Sequence, residues 1–389
     1  MSSTFRRLLP IYLLLIFRNT AWSLSVSGPV LPLYVRSLGV DIVDWGFLAT
    51  AHAVGLMLFE VVWGSLADRI DRRRLLVVAL VCMSLVFPLY TIEGFIPYFF
   101  VFQFAVGAFA VAVGPTTRAL IADNVPEESR GFYMGLWFTF FTLGSMIGPL
   151  LGTYISEVMG YVYAFYGSTV VLLAGAAVSA LSFRHLDRSI SVKKGNNDIG
   201  VLQGLSKVLS VSAVRLTFLL AVSIFFGVTA VRSFLPIYAS ELFGMSDVQI
   251  GVMLTLSSGV QLLATPTMGR LSDRLGQKRL IAIALAAASA IYLCYIFVEG
   301  PLQLTLVTLG ISACLSTVSL NLAMLSKVAP REITGMAMGM YGSFEDLGLI
   351  TGSLVYGLIW NSFGPSIMFI ASAAISIVGL LLLMMVREN

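Results

Sequence analysis

Glu345 and Asp346 stand side by side about ten residues into a long apolar run, where a carboxylate can take up and release a proton. Arg18 and Asn19 lie about eleven residues into another such run. Glu60, His52 and Arg232 interrupt two more. A charge at the middle of a bilayer costs roughly 3 kcal/mol or more unless it is paired or hydrated, so these residues are expected to face a cavity or a partner. Adjacent residues on a helix diverge by about 100°, so only one of Glu345 and Asp346 faces such a cavity squarely. Glu345 is the favoured proton-binding acid, with Asp346 and Glu60 as the other candidates. The competing role for the two acids is a static ion pair with Arg18 or Arg232. Glu60 suits a partner of Arg18, and His52 suits a polar spot between helices.

The elements that carry these residues are long and apolar. Hydrophobic residues make up 58% of the 389 and charged ones 11%, too few charges to cover a soluble surface of this size. Twelve runs are long enough to cross a ~30 Å hydrocarbon core: 8–35, 44–66, 75–92, 95–122, 131–157, 161–183, 213–239, 247–269, 280–298, 301–327, 335–360 and 364–386. They are numbered below as spans one to twelve, and backbone in lipid must pair internally, so they are expected to be helices. Nearly all of the 24 Lys and Arg fall on one side when both termini are placed inside, with Arg36 alone outside, whereas Asp41, Asp44, Glu93, Glu157, Glu241, Asp247 and Glu299 fall on the other. That charge bias predicts cytoplasmic termini. The first run is too long for a signal-peptide core, so no cleaved signal is expected.

One loop is written twice. Gly64-Ser65-Leu66-Ala67-Asp68-Arg69 with Arg72-Arg73-Arg74 returns as Gly269-Arg270-Leu271-Ser272-Asp273-Arg274 with Lys278-Arg279. Leu31-Pro32-Leu33-Tyr34 returns as Leu235-Pro236-Ile237-Tyr238, and Gly144 and Gly148 return as Gly348 and Gly352. This is a duplication, which predicts an all-α membrane protein of two pseudo-symmetric six-helix bundles, 1–183 and 213–389. The polar stretch 184–212 is the expected cytoplasmic linker, ending in an amphipathic helix from about Val201 to Leu209.

These features resemble the major facilitator superfamily over essentially the whole chain. The family's loop signature, G-x-L-a-D-R-x-G-R-K, is matched at Gly64 to Arg74, with Asp71 in place of the usual Gly, and again at Gly269 to Arg279. Span five carries Gly144-x-x-x-Gly148-Pro149-x-x-Gly152, similar to the antiporter motif of the twelve-helix drug–proton exchangers, and Pro29-Val30-Leu31-Pro32 resembles a motif of the same branch. The glycines also suit plain close packing of helices. Span four departs from the exchanger pattern, with Gln103 where Arg is usual. The resemblance implies a conformational latch of Asp68, Arg72 and Asp123, and a counterpart of Asp273 and Lys327 where Gln277 replaces the base. It also implies a central path lined by spans one, four, seven and ten, which makes Arg18, Asn19, Trp22, Gln103, Phe226, Arg232 and Asn321 candidates for contact with a substrate.

The expected function is secondary active transport by alternating access: proton-coupled efflux of small amphipathic compounds across the plasma membrane, by a monomer embedded in the lipid bilayer. The alternatives are proton-coupled uptake or exchange of a defined metabolite such as an organic anion or sugar, lipid translocation, and, last, a non-transporting membrane sensor. No phosphate-binding G-x-x-x-x-G-K-[ST] loop, H-E-x-x-H or nucleophile elbow occurs, so no enzyme, cofactor or metal chemistry is expected. The bases sit in loops between apolar runs, so no nucleic-acid partner is expected either.

Overall fold

The computed structural model describes residues 3–92, 96–126, 129–182, 201–330 and 333–386, without the side chains of 3, 61, 68, 69, 96, 201–205 and 335. Every regular element among them is helical. Span one is split into α1 (Ser3–Ser25) and α2 (Val30–Ser37); span two is α3 (Ile42–Arg69); span three is α4 (Arg72–Val86) closed by a 3-10 turn, Phe87–Thr91. Span four is split into α5 (Ile96–Ala110) and α6 (Val113–Asn124); spans five and six are α7 (Arg130–Met159) and α8 (Tyr161–Ser182). After α9 (Val201–Ser210) the plan repeats. Span seven is α10 (Ser212–Thr229), a π turn at Ala230–Phe234 and α11 (Leu235–Phe243); spans eight and nine are α12 (Asp247–Leu275) and α13 (Gln277–Cys294). Span ten is split into α14 (Pro301–Leu315) and α15 (Val318–Val328), and spans eleven and twelve are α16 (Thr334–Phe363) and α17 (Pro365–Met385).

Eleven of the spans are long and apolar enough to cross a bilayer. The remaining one, α16, has 30 residues but carries Glu345 and Asp346 near its middle, which dilute its apolar character. The expected linker lies largely in 183–200, outside the described residues. Its amphipathic end is α9, which buries Val208 in a cluster with Phe218, Leu325 and Ala337. Leu209 packs against the same cluster.

The duplication extends to conformation. Spans one and seven are irregular at corresponding places, and so are spans four and ten. Gly39 and Gly244 both adopt positive φ, as do Gly160 and Gly364. Tyr34, Tyr90 and Phe165 form an aromatic triad, with Tyr90 stacked on Phe165 at 5.2 Å. Tyr238, Tyr295 and Phe369 repeat it, with Tyr295 stacked on Phe369 at 4.4 Å. Such pairs add to burial through ring geometry.

The chain divides into two compact units, which are not quite the expected halves. The first comprises Met1–Val40, Ala51–Lys194 and Met245–Ser258; the second comprises Asp41–Thr50, Gly195–Gly244 and Gly259–Asn389. The starts of α3 and α12 thus group away from the rest of their helices. Within the second unit, Gly46 of α3 lies so near α16 that a Cβ would meet the Ser353 carbonyl at 2.6 Å. Within the first, a Cβ on Gly251 of α12 would meet Thr153 Oγ1 of α7 at 1.9 Å. Only glycine allows either approach.

The departure at Asp71 has a local explanation. In the second copy the corresponding residue is Gly276, which starts α13 with φ +86, a left-handed conformation that glycine adopts without strain. Asp71 has φ −55 and starts α4 with its side chain, accepting from the Arg73 backbone N–H at 3.0 Å. Arg73 also donates to it from Nη2 at 2.7 Å, and this bond holds the Asp71 carboxyl below its usual range. Asp71→Ala is expected to cost about 1 kcal/mol, read as a lower melting temperature in detergent. Because the folded-state pKa is depressed, the contribution is present above the ordinary carboxylate pKa of about 3.9 and lost as pH falls below it. The variant and native melting temperatures should therefore converge in acid; a constant difference would refute the capping role.

Candidate functional site

Two polar constellations lie inside the helices, one in each unit. In the first unit α1 carries Arg18, 5% exposed, and Asn19, fully buried. Arg18 donates from Nη1 to Asn19 Oδ1 at 2.6 Å and from Nη2 to the Ala110 carbonyl at 3.0 Å, and its guanidinium lies 4.4 Å from the Trp22 ring centroid. Asn19 donates in turn to the Leu15 carbonyl at 2.8 Å. Trp22 stacks on His52 of α3 with centroids 5.9 Å apart. A guanidinium over an indole is attracted by the ring quadrupole, more so where water is excluded. Gln103 on α5 is buried, and its side-chain oxygen has no hydrogen-bond partner among the described residues. Glu60 is half-buried on α3.

In the second unit the π turn of span seven holds Arg232. Its side chain keeps exposed surface although protein atoms surround it. The charges acting on it are Asp346 first and Glu345 second, both half-buried on α16. Glu345 is hydrogen-bonded to Tyr341, one turn earlier on the same helix. The Tyr341 hydroxyl accepts from Asn321 Nδ2 of α15 at 2.9 Å. Asn321 is fully buried and its Oδ1 has no partner among the described residues. A π turn displaces the helix ladder by one residue and often occurs where a side chain is aimed for function.

Sequence reasoning identified Arg232, Glu345, Asp346 and Asn321 one by one; the structure brings them together. It missed Tyr341, although the four-residue spacing to Glu345 on a helix was a usable signal. Phe226, expected on a cavity wall, sets its ring edge-on to the buried Tyr356 at 4.9 Å. Arg118 is exposed and lies 5.3 Å from the Trp137 ring, as a snorkelling side chain does.

The glycines of span five have a clear partner in α1. A Cβ on Gly144 would meet the Ile16 carbonyl at 2.7 Å, one on Gly148 would meet Ser23 Oγ at 1.9 Å, and one on Gly152 would meet the Leu24 carbonyl at 2.0 Å. Gly348 and Gly352 of α16 approach Val222 and Phe226 of α10 in the same way. Packing thus explains the glycines in both copies. Pro149 belongs to the first copy alone; it leaves the Ser145 carbonyl without its ladder partner, and the neighbouring Met146 carbonyl accepts from Thr255 Oγ1 of α12 at 3.0 Å. At the end of α7, Glu157 accepts from the Val248 N–H at 2.9 Å and so caps the start of α12, beside a bond from Ser156 Oγ to Asp247 at 3.2 Å.

On the basic side, Arg72 is paired with Asp123, and its Nε donates to the Ala67 carbonyl at 3.2 Å. The Asp68 side chain lies outside the described residues. Asp273 and Lys327 are both exposed and form no ion pair with each other among the described residues.

A family model described as Major Facilitator Superfamily matches residues 13–246 and again 217–389. The chain belongs to the Major Facilitator Superfamily. The two matches overlap at 217–246, so the first runs on through span seven. The multidrug resistance protein MdtG of Dickeya zeae strain Ech586 is 28% identical over 378 residues, covering 92% of this chain and 89% of that relative. The multi-drug resistance efflux pump PmrA homolog of Lactococcus lactis subsp. lactis strain IL1403 is 29% identical over 345 residues, covering 86% and 83%. Among solved structures, the nucleoside transporter NupG, crystallised as a point mutant, superposes with TM-score 0.78 at 15% identity, covering 98% of this chain and all of that one. The last likeness is one of fold. This superfamily member is a multi-pass membrane transporter for small molecules.

Proposed function

We propose that this transporter exports small amphipathic compounds across the plasma membrane in exchange for protons, with Glu345 as the proton-binding acid. The observation that carries the reading is the assembly of Arg232, Asp346, Glu345, Tyr341 and Asn321 in one unit. None of the three charges has a charged counterpart at its place in the first copy, where Gly28, Phe141 and Thr142 stand. The shared scaffold therefore does not require them. Arg232 acts first on Asp346, which assigns that pair to holding charge. Glu345 shares a hydrogen bond with a neutral hydroxyl, which assigns it to exchange. The named activities of the MdtG and PmrA relatives, whose likeness runs along nearly the whole chain, support efflux as the direction.

Alternating access needs contacts that break. The Arg72–Asp123 pair and the glycine contacts at Gly46 and Gly251 are proposed as such contacts, with Asp68, Asp273 and Lys327 as further members on the basic side. The test is accumulation of a fluorescent lipophilic cation in everted vesicles. Uptake driven by an imposed pH gradient and collapsed by a protonophore is the expected result. Uptake indifferent to the gradient would end the exchange reading.

A further inference from the structure

Spans four and ten are broken near mid-length, and the two breaks are satisfied differently. A helix that stops leaves its last carbonyls without partners, and in a membrane those oxygens must find donors within the protein. In span ten the break supplies its own. Ser316 Oγ donates to the Ala313 carbonyl at 2.6 Å, and Thr317 donates to the Cys314 carbonyl from Oγ1 at 2.8 Å and from its backbone N–H at 3.1 Å.

In span four the break falls at Val111 and Ala112, which have no side-chain donor, one turn before Pro115, which has no N–H for the Val111 carbonyl. The Ala112 N–H turns back to the Phe109 carbonyl at 3.3 Å, so the Ala108 carbonyl loses the partner that a continuous helix would give it, and the Ala110 carbonyl stands at the very end of α5. Both are met from neighbouring spans. Trp63 Nε1 of α3 donates to Ala108, and Arg18 Nη2 of α1 donates to Ala110. At the places of these two donors the second copy has Met268 and Val222, which can donate nothing. Donors from outside are present where the break lacks its own hydroxyls, and absent where it has them.

We infer that Arg18 is a positioning residue: with Trp63 it holds span four broken at Val111–Ala112, so that α6 moves as a separate piece. That piece carries Asp123, the partner of Arg72, about eleven residues beyond the break. The rest of the Arg18 geometry fits this role. Its fork is divided between Asn19 and Ala110, its face lies on Trp22, and it is 5% exposed, which leaves little of it to meet a passing substrate. The inference rests on the transport reading but not on protons or on any substrate class.

The test uses full-length protein in nanodiscs, with Cys82, Cys294 and Cys314 replaced by Ala and spin labels at positions 6 and 122, on α1 and α6. Arg18→Leu is expected to shift or broaden the label–label distance distribution, with no drug or gradient present. In everted vesicles it should lower the initial rate about tenfold while leaving the apparent KM within about twofold, whatever the charge of the compound transported. Arg18→Lys keeps the charge but lacks the fork, so it should resemble Arg18→Leu. Val113→Thr copies the solution used by span ten, since a hydroxyl at 113 stands three residues after Ala110 as Thr317 stands after Cys314. Added to Arg18→Leu, it should restore both the distances and most of the rate; alone it should leave both near native. The inference is overturned if Arg18→Leu folds with unchanged distances, or if its defect is a raised KM confined to anionic compounds, which would make Arg18 a substrate ligand. It is also overturned if Val113→Thr rescues nothing. A chain that moves no compound at all but shows the distance changes and their rescue would refute the efflux reading and leave this one standing.

Discussion

Glu345→Gln is expected to abolish pH-driven accumulation, lowering the driven rate by about two orders of magnitude while exchange of labelled for unlabelled compound at equal pH persists. The reason is the division of labour between two neighbouring acids. Asp346 is the first charge acting on Arg232, and Glu345 is joined to the neutral Tyr341–Asn321 pair. Asn and Gln keep the shape of the side chains and remove only the ionisable oxygen. Asp346→Asn should therefore give a different failure. It leaves the Arg232 charge without its main partner, so it should lower yield and melting temperature more than Glu345→Gln does. Adding Arg232→Ala to Asp346→Asn should recover much of that stability, because contacting residues are coupled and their single effects do not add. Tyr341→Phe should weaken coupling without destroying it, since the ring still packs and only the link between Asn321 and Glu345 is cut. The two acids have exchanged roles if Asp346→Asn, and not Glu345→Gln, abolishes the driven rate in well-folded protein.

Much of this arrangement was legible in the sequence because a bilayer leaves few options. Apolar length gave the helices, and the repeat offsets gave the two copies. The same offsets singled out Arg18, Glu345 and Asp346 as charges that the scaffold does not need. What they could not give was partnership. Arg18 was expected among substrate contacts, and it meets a backbone carbonyl 92 residues away. That carbonyl lies at a helix break one turn before Gly114-Pro115, whose proline has no N–H for the Val111 carbonyl, yet nothing in the pattern says which donor meets Ala110. The π turn around Arg232 is marked by Pro236, which has no N–H for the Arg232 carbonyl, but the partners it gives Arg232 are not written in the pattern. Asp71 is the opposite case. A departure from the family pattern proves to be a second way of starting a helix, with a side-chain cap in place of a left-handed glycine.

The glycines of α7 and α12 are expected to separate folding from transport. Gly152→Val puts a side chain against the Leu24 backbone, where a Cβ would lie 2.0 Å from the carbonyl oxygen. Backbone cannot retreat without parting α1 from α7, and overpacking of this kind costs roughly 1–3 kcal/mol or more. The variant should be recovered poorly or aggregated, and transport should fall only in proportion to the folded fraction.

Gly251→Ala is different. Its Cβ would meet Thr153 Oγ1 at 1.9 Å and the Pro149 carbonyl at 3.0 Å. The contact involves only the first turns of α12, which group with α7, whereas the remainder of that helix groups with the other unit. Losing it should leave the fold intact and disfavour the conformation in which α12 is docked. The expected result is well-folded protein whose transport rate is down by about tenfold, a coupling of 1–3 kcal/mol between docked and undocked forms. In a background without native cysteines, Ser257→Cys should react faster with a membrane-impermeant thiol reagent. Thr153→Ala removes the clashing oxygen, so the double variant Gly251→Ala with Thr153→Ala should regain native labelling and rate. If Gly251→Ala instead lowers the yield as Gly152→Val does, the start of α12 is part of the fixed core and not a contact that opens. If the double variant stays impaired with fast labelling, the clash with Thr153 is not what displaces that end of α12. The proposed moving contact would then have to be sought at Gly46, whose nearest neighbours on α16 are backbone atoms of Ser353 and Gly357.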